Sequence, residues 1–74
     1  MNTYATSDLY LASYLKSRGM KIINKETEGR RVTFIFEDAP NREHLILDFY
    51  NQGPVNITAF VHALQDLKSI VFNL

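Results

Sequence analysis

The sequence predicts a small α+β domain in which a helix, a two-stranded antiparallel hairpin and two further helices follow in the order α-β-β-α-α. Residues 32–36 are aromatic or β-branched throughout, which is typical of a strand, and their alternation places Phe34 and Phe36 on one face. Residues 9–18 and 57–72 carry apolar side chains at helical spacing, which predicts amphipathic helices before and after the hairpin.

The first helix is bounded by signals at both ends. Ser7 is the expected N-cap, and Asp8 takes the first helical position, where a carboxylate interacts favourably with the helix dipole. Gly19 is expected to end the helix in a left-handed conformation, which brings Met20 against Leu15. The stripe that faces the core consists of Leu11, Ala12, Tyr14 and Leu15.

The hairpin is predicted to join residues 20–25 to residues 32–36 through a three-residue loop, Thr27-Glu28-Gly29, that ends in a left-handed glycine. The resulting pairs are Glu26 with Arg30, Asn24 with Val32, Ile22 with Phe34, and Met20 with Phe36. The inner face then holds Met20, Ile22, Val32, Phe34 and Phe36, and the outer face holds Lys21, Ile23, Lys25, Arg31, Thr33 and Ile35. A two-residue loop would bring Lys21 and Lys25 beside the apolar side chains of the second strand, so we favour the longer loop.

Residues 42–50 follow a break at Pro40 and have features of both a helix and a strand. Leu45, Leu47 and Phe49 alternate as in a strand, whereas the spacing of Leu45 and Phe49 also suits a helix. We favour a helix, because a cap and a favourable first-turn charge are available. The residues that supply them are Asp38 or Asn41 as the cap and Glu43 in the first turn.

The last helix is predicted over residues 57–72, with Asn56 as its N-cap. Its apolar stripe consists of Ile57, Phe60, Val61, Leu64, Leu67 and Val71. Polar side chains cover the opposite side of the helix, which indicates that only one side packs on the core.

Four segments of the chain resemble a family of very small bacterial and phage-associated proteins of unknown function. They are residues 7–15, which read S-D-L-Y-L-A-x-Y-L, residues 31–38, which read R-V-x-F-x-F-E-D, residues 49–51, and residues 60–69, which include F-x-x-A-L-x-x-L-K. The resemblance implies the order α-β-β-α-α, and members of the family are often plainly helical where this chain has Leu45, Ile46 and Leu47. It implies no catalytic residue, because the family has no known activity.

Composition limits the class of protein. The 74 residues suffice for one domain, 1–74, and eight basic against eight acidic residues give a net charge of zero, which argues against a dedicated nucleic-acid binder. Cysteine is absent, so disulfides and thiolate metal sites are excluded. No apolar run approaches the roughly 18 residues of a membrane span, and the first residues lack the pattern of a signal peptide. We therefore expect a cytoplasmic protein without membrane association or cofactor.

The basic residues concentrate in residues 16–31, which hold six of the eight. Lys21, Lys25, Arg30 and Arg31 are the candidate site for an anionic partner, because cations around the apolar strip of Ile23 and Ile35 could hold an acidic protein or a phosphate backbone. The alternative is a solvated face whose charges protect the strand edges from pairing.

Histidine and tyrosine side chains are further candidates for functional groups. His44 and Asp48 could present two metal ligands on one helical turn, but a site needs three or four, and His62 lies on a polar helix side, so we expect no metal site. The tyrosines Tyr10, Tyr14 and Tyr50 could stack on single-stranded nucleic acid or could close the core.

The function that these features predict is that of a non-enzymatic protein-interaction or self-association module. No glycine-rich phosphate loop, nucleophile elbow or HExxH motif occurs. A homodimer is expected because two open strand edges and the exposed Ile23 and Ile35 would be covered by a second copy. The alternative is an accessory nucleic-acid-binding protein that uses the basic outer face of the hairpin.

Overall fold

The computed structural model describes residues 2–72 and arranges them as three strands and three helices. The elements are β1 (Thr3–Thr6), α1 (Leu9–Ser17), β2 (Ile22–Glu28), β3 (Arg31–Glu37), α2 (Arg42–Tyr50) and α3 (Ile57–Phe72). The α+β class is confirmed, and so is the helix favoured for residues 42–50. Residues 1, 73 and 74 of the predicted domain lie outside the described part.

The sheet contains a strand that the sequence did not predict, so the order is β-α-β-β-α-α and not α-β-β-α-α. β1 pairs antiparallel with β3, with Tyr4 opposite Phe36 and Thr6 opposite Phe34, and the strand order is β1-β3-β2. β3 is therefore the central strand. The four residues of β1 carry too short a pattern to indicate a strand, and their pairing depends on partners 28 to 34 residues away in the sequence.

Helix α1 begins one residue later than expected. The side chain of Asp8, and not that of Ser7, is the N-cap, because its Oδ1 accepts hydrogen bonds from the backbone N–H groups of Tyr10 and Leu11, both at 3.0 Å. Asn56 is the N-cap of α3, as predicted. Its side-chain Oδ1 accepts a hydrogen bond from the Ala59 N–H at 2.9 Å, and its carbonyl accepts one from the Phe60 N–H.

The predicted end of α1 is confirmed in detail. Gly19 has φ +105, its N–H donates to the Lys16 carbonyl, and the Met20 N–H donates to the Leu15 carbonyl, both at 3.1 Å. These two bonds satisfy carbonyls that the end of a helix leaves without partners. Met20 is 5% exposed and belongs to the same core cluster as Leu15.

The hairpin register differs from the prediction. Glu28 pairs with Arg31, so the loop has two residues, and Gly29, with φ +60, takes the first central position, where the favoured hairpin turns require a positive φ. Lys25 lies opposite Phe34 on the inner face. A bulge between Ile22 and Asn24 then shifts the register, so that Ile22 faces Phe36 and the apolar side chain is kept inside.

The core lies between one face of the sheet and the three helices. Phe34 and Phe36 are 1% and 0% exposed, which confirms the predicted inner face of β3. The buried residues packed with them are Leu11, Ala12, Leu15, Met20, Val32, Leu45 and Leu67. Within residues 2–72, none of the helices has the length and apolar character needed to cross a membrane.

Candidate functional site

The four basic residues predicted to bind an anionic partner do not share one face. Lys25 is half-buried, and its Nζ donates to the Ile70 carbonyl at 3.4 Å, at the C-terminal end of α3 where a cation is favourable. Its aliphatic part therefore lies along the core while its charge stabilises a helix end. Lys25 is engaged within the fold, and the predicted position on an outer basic face is wrong.

The remaining three candidates are exposed, but the outer face of the sheet is not basic. Arg31 points outward from β3, and Lys21 and Arg30 lie outside the strands. The register places Glu26, Glu28 and Glu37 on the same outer face as Arg31. The two-residue loop produces this arrangement. It shifts the register by an odd number of residues relative to the predicted three-residue loop, so the charged side chains of β2 lie on the faces opposite to those expected. Anion binding by Lys21, Arg30 and Arg31 stays a prediction.

Arg30 and Arg31 instead lie beside an apolar cleft, which we name the Arg30–Arg31 cleft. It has a volume of about 380 Å³ and lies where the hairpin turn meets the start of α1 and the end of α3. Its lining residues are Ser7, Leu9, Arg30, Arg31, Val32, Phe34 and Val71. The cleft thus combines an apolar floor with two bordering arginines, Arg30 in the turn and Arg31 at the start of β3. The two-residue loop, which differs from the predicted three-residue loop, places both arginines beside the cleft, because Arg30 lies in the turn itself.

Helix α2 is apolar on two sides. Its inner side holds Leu45, which is 1% exposed, and Phe49, whose ring lies 5.6 Å from that of Tyr14. Its outer side holds Leu47 and Tyr50, which are 60% and 66% exposed. We name Glu43, Ile46, Leu47 and Tyr50 the α2 outer face; the first three line a shallow cleft of about 230 Å³. Large apolar side chains on the exposed side of a short helix mark a candidate contact surface.

A polar cluster attaches the loop before α3 to α1. The hydroxyl of Tyr14 donates to the Pro54 carbonyl at 3.0 Å, and Arg18 donates to the same carbonyl at 3.2 Å and to the Tyr14 hydroxyl. Arg18 also pairs with Asp48 at 3.5 Å. Tyr14 is 3% exposed, so its ring closes the core and is not available for base stacking, whereas Tyr10 and Tyr50 are exposed.

His44 lies next to this cluster. Its Nε2 is 3.5 Å from Asp48 Oδ2, the same oxygen that Arg18 approaches. The carboxylate is therefore already paired with a cation. Within residues 2–72, no group of three or more potential ligands is placed to hold a metal ion.

Another ion pair joins the residue after β3 to the start of α2, and its arginine also contacts β1. Arg42 Nε donates to Asp38 Oδ1 at 3.0 Å, and its guanidinium lies 4.5 Å from the centre of the Tyr4 ring. This hydrogen bond from Arg42 lowers the pKa of Asp38 below its ordinary value of 3.8, with a further contribution from the Ala39 N–H and a partial opposition from burial. The same bond raises the pKa of Arg42. Asp38 acts here as an ion-pair partner and not as a helix cap. Asn41 takes the cap position without a side-chain hydrogen bond.

The family model described as "Domain of unknown function (DUF5659)" matches residues 1–73. The chain belongs to this family. No curated protein and no solved structure matches the chain. Membership agrees with the resemblance to a small family of unknown function, although the match itself gives no bacterial or phage origin. The description of DUF5659 names no activity. The surfaces of the domain are therefore the basis for a functional proposal.

The basic composition of residues 16–31 indicates Arg30 and Arg31 in this DUF5659 domain, but it predicts neither the Arg30–Arg31 cleft nor the α2 outer face. The Arg30–Arg31 cleft is formed by three elements that are distant in sequence, so no local pattern predicts it. The α2 outer face did leave a signal. The alternation of Leu45, Leu47 and Phe49 that suggested a strand arises because Leu47 is an exposed apolar residue.

Proposed function

We propose that this DUF5659 domain is a non-enzymatic interaction module that self-associates through the α2 outer face. The observation that carries this proposal is the exposure of Leu47 and Tyr50 on a helix whose opposite side is already packed on the core. Apolar side chains on two sides of one short helix indicate that a second layer covers the helix in its working state.

The α2 outer face is complementary to itself. Two copies related by a two-fold axis between Ile46 and Leu47 would bring Glu43 of one copy to Tyr50 of the other, in each of two equivalent places. A tyrosine hydroxyl can donate to a carboxylate, so the polar ends of the face are satisfied while the apolar centre is buried. This symmetry favours a second copy as the partner.

The interface would be small. Nine residues of helix span about 13.5 Å. Interfaces at the low end of the size range, below about 1,200 Å², belong to weak or transient complexes. We therefore expect a monomer–dimer equilibrium that depends on protein concentration. This proposal replaces the expected pairing of strand edges, since Ile35 is half-buried beside β1 and leaves less apolar sheet surface to cover.

Sedimentation equilibrium over a wide concentration range tests the proposal. The average mass should rise from 8.6 kDa towards twice that value, and Leu47→Glu should keep it at the monomer mass. Ile57→Glu is the matched control, because Ile57 is a 76% exposed aliphatic residue on another helix, and it should dimerise as wild type does. A wild-type mass of 8.6 kDa at about 1 mM would refute self-association.

Further properties of the domain are part of the proposal. We infer a cytoplasmic location, since a chain without cysteine suits a reducing compartment. The resemblance of residues 7–15 and 31–38 to bacterial and phage-associated proteins supports an origin in that group. Nucleic-acid binding by an outer basic face is not retained as a second function, because three glutamates share that face with Arg31.

A further inference from the structure

We propose that the Arg30–Arg31 cleft binds an acidic peptide segment of a partner protein, in which an apolar side chain lies next to carboxylates. The cleft contains no residue of α2, so this binding site is separate from the α2 outer face and does not depend on self-association. It is formed where the hairpin turn, the start of α1 and the end of α3 meet.

The floor of the cleft suits an apolar side chain. Val32 and Phe34 are buried and form its base, and Leu9 and Val71 are half-buried walls from the two helices. The volume of about 380 Å³ falls within the range of about 300–1,000 Å³ that is typical of ligand pockets. Covering Leu9 and Val71 with an aliphatic or aromatic side chain would remove apolar surface from water, which favours binding.

The rim supplies the charge that selects the ligand. Arg30 and Arg31 are both exposed, and neither takes part in any ion pair found within residues 2–72. By contrast, Lys16, Arg18 and Arg42 are each paired with an aspartate. A guanidinium binds a carboxylate with two parallel hydrogen bonds, and the Ser7 hydroxyl at the rim is a further donor.

An acidic peptide fits this surface better than a nucleic acid does. A phosphate backbone extends in both directions and needs several cations, whereas two basic residues line this cleft. The walls of the cleft are aliphatic and provide no exposed ring on which a base could stack. A peptide can place two or three acidic groups at the arginines and continue with uncharged residues.

Fluorescence anisotropy with a labelled probe tests the proposal. The probe is a fluorescein-labelled peptide of about a dozen residues, in which Asp-Glu pairs alternate with leucine. We expect saturable binding to the wild-type protein. A peptide with Asn-Gln in place of Asp-Glu, and one with serine in place of leucine, should each bind at least about tenfold more weakly, because each lacks one of the two recognised groups.

Matched variants locate the binding. Arg30→Gln with Arg31→Gln should weaken binding of the acidic peptide at least about tenfold, while Lys21→Gln with Lys68→Gln removes the same charge from other exposed positions and should change binding less than about twofold. Amide chemical-shift changes in the wild-type protein should centre on residues Ser7, Leu9, Arg30, Arg31 and Val71. Circular dichroism checks that each variant is folded.

Several results would overturn the proposal. They are a failure of the acidic peptide to bind, an equal loss in both double variants, and chemical-shift changes that centre on Leu47 and Tyr50. Tighter binding of a single-stranded oligothymidine of about a dozen nucleotides at Arg30 and Arg31 would also overturn it, and would assign the cleft to nucleic acid instead. Loss of self-association in Leu47→Glu has no bearing on the peptide, because that residue lies outside the cleft.

Discussion

Phe34 fills the space between the central strand and the helices, and it is 1% exposed. Replacing it with alanine leaves a cavity that the surrounding sheet and helices can close only in part. We expect Phe34→Ala to lower the free energy of unfolding by about 3–5 kcal/mol, which is a large part of the stability of a small domain. Urea denaturation followed by circular dichroism measures this loss.

The control for this substitution is Phe72→Ala, which removes the same ring from a position that is 79% exposed. It should change the free energy of unfolding by less than about 0.5 kcal/mol. If Phe34→Ala unfolded at the same urea concentration as wild type, the inner face of β3 would be assigned wrongly.

Lys25 shows why the position of a single side chain is harder to predict from sequence than the inner face of β3. The alternation of β3 predicted the burial of Phe34 and Phe36 correctly, because side chains of a strand point to opposite faces in turn. The side of Lys25 depended on loop length and on a bulge at β2, which no local pattern reveals. Its contact with the Ile70 carbonyl also requires a helix that is 45 residues away in sequence.

At the scale of elements, the end of α1 provides a direct test of backbone conformation. Gly19 has φ +105, and the space where a Cβ would lie is open, so any loss on substitution comes from the backbone and not from a clash. We expect Gly19→Ala to destabilise the protein by about 1–2 kcal/mol, since side chains disfavour positive φ. Thermal and urea unfolding curves would measure it.

Gly19→Asn is the comparison for this position, because asparagine tolerates left-handed conformations better than alanine does. Its loss of stability should be smaller than that of Gly19→Ala. Equal stability of the alanine variant and the wild type would mean that α1 ends without the left-handed residue.

The elements differ in how well the sequence predicts them. Helices α1 and α3 were predicted because caps and apolar stripes are local signals, and Asn56 and Gly19 act as expected. β1 was missed because four residues form a strand only by pairing with β3. The same limit applies to the Arg30–Arg31 cleft, which exists only after three elements have packed together.

At the scale of the whole molecule, polar contacts join elements that also pack together in the core. Arg18 connects α1 with α2 through Asp48 and with the loop before α3 through the Pro54 carbonyl. Arg42 connects α2 with β1 through Tyr4, and the Asp38 N–H donates to the Asn2 carbonyl at 3.1 Å. Such contacts position the edge strand and the three helices relative to one another.

The ion pair between Asp38 and Arg42 makes part of the stability of the fold dependent on pH. Because the pKa of folded Asp38 is held below 3.8, its contribution to stability is fully present above about pH 4 and is lost as the pH falls through the lowered folded pKa. The free energy of unfolding of the wild type should therefore exceed that of Asp38→Asn at neutral pH, and the difference should shrink towards zero below pH 3.8. Urea titrations of both proteins between about pH 7 and pH 2 measure this difference, in which the titration of the other carboxylates cancels.

Arg42→Gln removes the hydrogen-bonded cation and should show the same reduced acid dependence as Asp38→Asn. A wild-type curve that runs parallel to both variants over this range would show that the ion pair between Asp38 and Arg42 does not contribute to the stability of the fold.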